Sequence, residues 1–120
     1  LKALRSETFK RAVSSRYKVV LIDEFQDTDP IQWEIFSTLF LNQWGGSLYL
    51  VGDPKQSIYG FRGADIYTYL KASEGLTKMS LDTNYRSHPN LVEELNHFFA
   101  TDTFIPLPKL GIHLPYHPVK

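Results

Sequence analysis

The chain has 120 residues, enough for one hydrophobic core, and its 42% hydrophobic and 14% aromatic content exclude a disordered polypeptide. Thirteen basic residues balance 13 acidic ones, so bulk charge gives no pull on nucleic acid, and any such binding must come from a local cluster and from stacking. Cysteine is absent, which excludes disulfides and thiolate-held zinc, and no apolar run approaches the roughly 20 residues of a membrane-spanning helix.

In chain order, Leu1, Leu4, Phe9, Ala12 and Val13 fall near a helical period, which predicts an amphipathic helix over residues 1–15. Tyr17 to Ile22 reads as a strand. Asp29-Pro30-Ile31-Gln32 then opens a helix: Asp29 caps it, Pro30 fits its first turn and Gln32 stands at the reciprocal capping position. Its expected apolar face is Ile31, Ile35, Phe36, Leu39 and Phe40, and Gly45-Gly46 is expected to end it. Leu48 to Val51 reads as a second strand, residues 52–63 as a loop or broken helix, and Ala64 to Ala72 as a helix. Lys78 to Leu81 reads as a weaker third strand. His88 to Phe99 reads as a helix with Leu91, Val92, Leu95, Phe98 and Phe99 on one face. Pro106, Pro108, Pro115 and Pro118 make residues 101–120 an extended or irregular tail. Alternating helices and strands predict an α/β fold with a parallel sheet. The two four-residue apolar runs, Val19 to Ile22 and Leu48 to Val51, suit strands buried on both faces.

Ligands of parallel sheets collect beyond the carboxyl ends of the strands, and here those ends carry acids. Asp23 and Glu24 follow the first strand: one can anchor a hydrated magnesium ion while the other orients or deprotonates a water. The plainer alternative is a pair of solvated loop acids, with Asp27 and Asp29 serving as helix caps. Asp53-Pro54-Lys55-Gln56 follows the second strand, where Gln56 can hydrogen-bond a terminal phosphate or an attacking water. Tyr59 and Phe61 beside Arg62 supply aromatic faces next to a cation, as sequence-tolerant binding of single strands requires; otherwise they are core aromatics under a loop. In Leu81 to Ser87, Arg86 can reach a phosphate bidentately and Tyr85 can stack on a base, or Arg86 simply pairs with a surface acid. His113 and His117 have helical metal spacing, but Pro115 breaks the helix that spacing needs.

Taken together, residues 19–29, 51–65 and 81–87 resemble motifs II, III and IV of the UvrD/Rep group of superfamily 1 helicases, in order and in spacing. Thr28-Asp29-Pro30, Asp53-Pro54-Lys55, residues 64–69 and the ending Ile112 to Val119 look most like the RecB-type family, the helicase subunits of exodeoxyribonuclease V. The resemblance implies roles. Asp23 would bind the Mg2+ of bound ATP, and Glu24 would activate the hydrolytic water. Gln56 would contact the γ-phosphate and couple it to the DNA loop. Tyr59, Phe61 and Arg62 would lie along single-stranded DNA, Tyr85 would stack on adenine, and Arg86 would stabilise the transferring phosphoryl group. It further implies single- and double-stranded DNA ends as partners, RecC-like and RecD-like subunits, no membrane, a cytoplasmic location, and work in break repair and recombination.

The chain holds no glycine-rich phosphate loop with its lysine, no later helicase motif and no nuclease domain, and it begins at Leu1 rather than Met. The expectation is therefore a partial RecA-like sheet with its phosphate-loop strand missing. Residues 1–100 would be a fragment of the first motor domain and residues 101–120 a tail leading to the next subdomain, with the piece inactive on its own. Two other functions fit parts of the pattern. Asp23 with Asp53-Pro54-Lys55 mimics metal-dependent nucleases, although there the Asp-x-Lys lies within a strand, which Pro54 would disrupt. A non-catalytic module for single-stranded DNA or a partner subunit fits the missing phosphate loop.

Overall fold

The computed structural model describes residues 1–41, 45–58, 60, 65–100, 105–107, 112–114 and 116–120. They form two compact units, Leu1–Leu76 and Thr77–Lys120.

In the first unit the expected opening helix is split. Lys2–Arg5 is a 3-10 turn, and helix α1 runs Glu7–Ser14. Ser6 causes the break: it is extended, and its side chain accepts a hydrogen bond from the Phe9 amide, which caps α1 afresh. Strand β1 is Val19–Ile22, helix α2 is Pro30–Phe40, strand β2 is Ser47–Leu50 and helix α3 is Ile66–Ser73.

The start of α2 is as local chemistry dictates. Asp29 accepts from the Gln32 amide at 2.8 Å, and the Gln32 side chain accepts from the Asp29 amide at 3.1 Å, with Pro30 in the first turn. The end differs from expectation, since α2 stops at Phe40 with Leu41 still right-handed, so Gly45, at φ 72°, lies beyond the cap. The face of α2 differs in part. Ile31 is exposed, whereas Ile35 and Phe36 are half-buried and Leu39 and Phe40 buried as expected, and Trp33 joins them with its ring edge-on to Phe25 at 5.3 Å.

β1 and β2 pair in parallel, Val19 opposite Ser47 through Ile22 opposite Leu50. The ladder continues past both strands, with the Val51 amide on the Ile22 carbonyl and the Phe25 amide on the Val51 carbonyl, each at 2.9 Å. Burial alternates along both strands, which corrects the expectation of two covered faces. Val20, Ile22, Leu48 and Leu50 are half-buried, whereas Val19, Leu21 and Tyr49 are 54–62% exposed. An unbroken apolar run records that both faces can be buried, and among the described residues only one is covered.

The second unit contains helix α4, Pro89–Phe98, and an antiparallel pair, β3 (Ile105–Leu107) and β4 (Ile112–Leu114). The proline-rich segment therefore does hold regular structure. Residues 78–81, by contrast, are not a strand: Met79 and Leu81 are more than 90% exposed, and no ladder partner meets them among the described residues. A strand exists only through its partner's hydrogen bonds. α4 buries Val92, with Asn96 and Phe99 beside it, and leaves Leu91, Leu95 and Phe98 exposed. The returning terminus selects that stripe. Asn96 Oδ1 accepts from the Tyr116 hydroxyl and the Val119 amide, its Nδ2 donates to the Val119 carbonyl, and the Phe99 and Tyr116 rings meet at 5.6 Å. No helix among the described residues is long and apolar enough to cross a membrane.

Candidate functional site

The site of the first unit lies where β1 and β2 end side by side. Beyond Ile22 the chain turns at once: Asp23 Oδ1 accepts from the Glu24 amide at 2.9 Å, and Glu24 takes left-handed backbone angles, φ 49° and ψ 42°. Among the described residues it is the one non-glycine at positive φ, a conformation that costs about 1–3 kcal/mol and persists only where the surroundings enforce it. The chain then enters a 3-10 turn, Phe25–Asp27, whose first two side chains are almost wholly buried: Phe25 is 1% exposed and Gln26 2%.

Phe25 fastens the turn from below through the rings of Trp33 and of Tyr69, at 5.3 and 5.7 Å. Gln26 fastens it sideways. Its Nε2 donates to Glu24 Oε2 at 2.7 Å, its Oε1 accepts from the Asp53 amide at 3.1 Å, and its carbonyl accepts from the Ser57 hydroxyl at 3.2 Å. Gly52 permits the approach, since a Cβ there would stand 2.5 Å from Gln26 Oε1 and 3.0 Å from the Phe25 nitrogen. The Tyr69 hydroxyl donates to the Gly52 carbonyl at 3.1 Å, and burial, then the Asp53 charge, push that phenol up.

After β2, Asp53 organises its own 3-10 turn, Pro54–Gln56. Its Oδ1 accepts from the Lys55 amide at 3.0 Å and pairs with the Lys55 ammonium at 2.9 Å, and its Oδ2 accepts from the Gln56 side chain at 3.5 Å. Burial alone would raise the Asp53 carboxyl. The Lys55 side-chain and amide hydrogen bonds, the Lys55 charge and the Gln56 amide outweigh burial and hold it below the ordinary 3.8. A depressed carboxylate stabilises the fold above its ordinary value, and that contribution is lost as pH falls through the lowered one. Lys55→Met is therefore expected to move the Asp53 titration upward, followed by the NMR shift of its carboxyl carbon. An unmoved midpoint would refute the pairing.

Glu24, Gln26, Asp27, Lys55, Gln56 and Ile58 line an open cleft of about 570 Å³. Of the predicted site residues the structure thus brings Glu24 and Gln56 together, with Asp23 adjacent to Glu24 in the same turn. Tyr85 and Arg86 lie in the second unit, both exposed; the Asn84 side chain accepts from the Arg86 and Ser87 amides at 2.9 and 3.0 Å, and Arg86 has no ion pair among the described residues. Tyr59, Phe61 and Arg62 fall outside the described residues. Asp27 is not a helix cap: Asp29 caps α2, while Asp27 borders the cleft with a buried Oδ1 that has no hydrogen-bond partner among the described residues. Gln26 is the residue that sequence reasoning left without a role. The only signal was a glutamine placed inside an acid cluster.

The donor set suits a magnesium-bound polyphosphate. Carboxylates supply hard oxygen ligands, and the Gln56 amide supplies a donor for phosphate oxygens. No three His, Asp or Glu side chains gather into a cage among the described residues, and Mg2+ needs none, since it keeps several waters and binds through one or two carboxylates plus phosphate. Asp53-Pro54-Lys55 lies on a turn with its lysine neutralised by its own aspartate, unlike the strand-borne Asp-x-Lys of nucleases.

Residues 1–77 match the UvrD/REP helicase N-terminal domain family. The chain is similar to the RecBCD enzyme subunit RecB of Chlamydia trachomatis, 48% identical over 117 residues, covering 93% of this chain and 11% of that protein. It is 47% identical over 124 residues to that subunit of Escherichia coli K12, covering 98% of this chain and 10% of the relative. With that subunit of Mycobacterium tuberculosis H37Rv it shares 52% identity over 81 residues, 67% of this chain and 7% of the relative. The chain spans about a tenth of the length of the first two of these relatives.

Proposed function

The chain belongs to the UvrD/REP helicase N-terminal domain family, and from that premise we propose that it is part of the first RecA-like motor domain of a RecB-type helicase subunit, carrying motifs II, III and IV. The parent hydrolyses ATP to move along single-stranded DNA in cytoplasmic break repair and recombination, and it works with RecC-like and RecD-like subunits. The residues of this chain do not hydrolyse ATP unaided, because no lysine-bearing phosphate loop is among them. Residues 1–100 are the motor portion and residues 101–120 lead toward the next subdomain.

One observation carries the reading: Glu24 and Gln56, from turns 32 positions apart, border one cleft at the carboxyl ends of two parallel strands. In it Glu24 takes the proton of the attacking water, and Gln56 exchanges its hydrogen bond to Asp53 for one to the γ-phosphate. Asp23 would hold the magnesium ion, which would supply neutralisation of phosphate charge. By the same resemblance Tyr85 stacks on adenine, Arg86 stabilises the transferring phosphoryl group, and Tyr59, Phe61 and Arg62 follow the DNA. In the full-length protein, ATP turnover is expected to require magnesium and to rise when an oligothymidylate is added, measured by phosphate release. DNA binding without any turnover would leave the binding-module reading instead.

A further inference from the structure

Gln26 is buried to 2% exposure, and both ends of its side-chain amide and its backbone carbonyl are bonded to groups of the site. The nitrogen reaches the Glu24 carboxylate, the oxygen reaches the Asp53 amide, and the backbone carbonyl reaches Ser57. Asp53 in turn accepts from the Gln56 side chain. Hydrogen bonds therefore run from the Glu24 carboxylate through the Gln26 amide to the Asp53 backbone, and the carboxylate of that same Asp53 takes a long 3.5 Å contact from Gln56, so residue 53 joins the two strand ends. The Gln26 side chain must donate at one end and accept at the other, which an amide does and a carboxylate or a thioether does not. The Gln26 amide makes the one hydrogen bond to the Glu24 carboxylate among the described residues, so it is what fixes the direction of that side chain. Gly52 leaves no room for a side chain between the two turns, which keeps the Gln26 amide in register with Asp53.

We propose that Gln26 is a positioning residue that aims the Glu24 carboxylate and ties it to the 53–57 turn, so that a change in the hydrogen bonding of Gln56 is felt at Glu24. The proposal rests on the reading of Glu24 as the water-activating group and of Gln56 as the phosphate contact.

The test uses the full-length protein with Mg-ATP, with and without an oligothymidylate, comparing wild type, Gln26→Met and Gln26→Glu. Methionine keeps the buried volume and removes both hydrogen bonds, whereas glutamate keeps the acceptor toward Asp53 and loses the donor toward Glu24. Gln26→Met is expected to lower kcat by about 10–100-fold, the usual cost of losing a supporting hydrogen-bond partner, with KM for ATP little changed. Stimulation by DNA is expected to fall toward none. Gln26→Glu is expected to lose at least as much kcat, because two carboxylates then face each other. Gln26→Met should add little further loss to a Glu24→Gln protein, since both act on one step. A folded Gln26→Met protein with wild-type kcat and DNA stimulation would mean that Gln26 only fills space, and the proposal falls. If that variant does not fold, a folded Gln26→Glu protein with undiminished kcat overturns it equally. A wild-type protein lacking magnesium-dependent turnover overturns the reading of the site itself, and the proposal with it.

Discussion

If Glu24 is the general base proposed above, Glu24→Gln in the full-length protein is expected to reduce DNA-stimulated ATP turnover by about 10²–10⁴-fold, the range typical of removing such a group. The substitution changes little else. The side chain is exposed at the cleft and, among the described residues, makes one hydrogen bond, from Gln26, which an amide oxygen also accepts. The left-handed backbone at this position is a property of the turn and not of the carboxylate. Nucleotide affinity, measured with a fluorescent ATP analogue, should therefore hold within a few-fold while kcat collapses, the signature of a group that acts in the transition state. Equal loss of affinity and rate would make Glu24 a binding residue. The nuclease alternative makes the opposite demand, that Lys55→Ala abolish magnesium-dependent DNA cleavage. Lys55 sits on a 3-10 turn and is already held by Asp53 at 2.9 Å, so its ammonium is not poised to assist a water.

The capping box at Asp29 and Gln32 was legible because its chemistry spans three residues, and the structure has both halves. The parallel order of the first two strands was legible from their apolar runs and from the helical spacing between them. What sequence could not supply was anything set by register. Val19 pairs with Ser47, and that single alignment decides that the Gln26 side chain meets the Asp53 amide. The α4 face failed for a related reason. Leu91, Leu95 and Phe98 are as good an apolar stripe as Val92 and Phe99, and the choice was made by Tyr116 and Val119 arriving at Asn96, a polar residue that periodicity discards. The strand expected over residues 78–81 failed because the alternation of Met79 and Leu81 with polar residues states a capacity to pair, whereas a strand also needs a neighbour. The left-handed Glu24 left no trace in sequence, since glutamate is not a residue that favours that conformation.

Phe25→Ala is the change expected to cost most in stability, about 3–5 kcal/mol for truncating a fully buried phenylalanine. The ring is 1% exposed and is held by Trp33 of α2 and Tyr69 of α3, so its loss leaves a cavity bounded by two helices and a strand end. Domains are stable by only about 5–15 kcal/mol, so the loss removes a large share of the total. The consequence is local to the site as well. The Phe25 amide holds the Val51 carbonyl, and the residues on either side of Phe25 are Glu24 and Gln26. Hydrogen exchange on the full-length protein should show protection of residues 19–28 and 47–57 falling by about 10²–10⁴-fold, the same free energy expressed as an opening equilibrium. Ile31→Ala, at a position 57% exposed, should leave protection nearly unchanged. Turnover must fall in Phe25→Ala together with protection, whereas Glu24→Gln loses turnover with protection intact. If Phe25→Ala kept full protection of both turns, the ring would not be what holds the two strand ends together, and the rigidity of the site would have to come from the Gln26 hydrogen bonds alone.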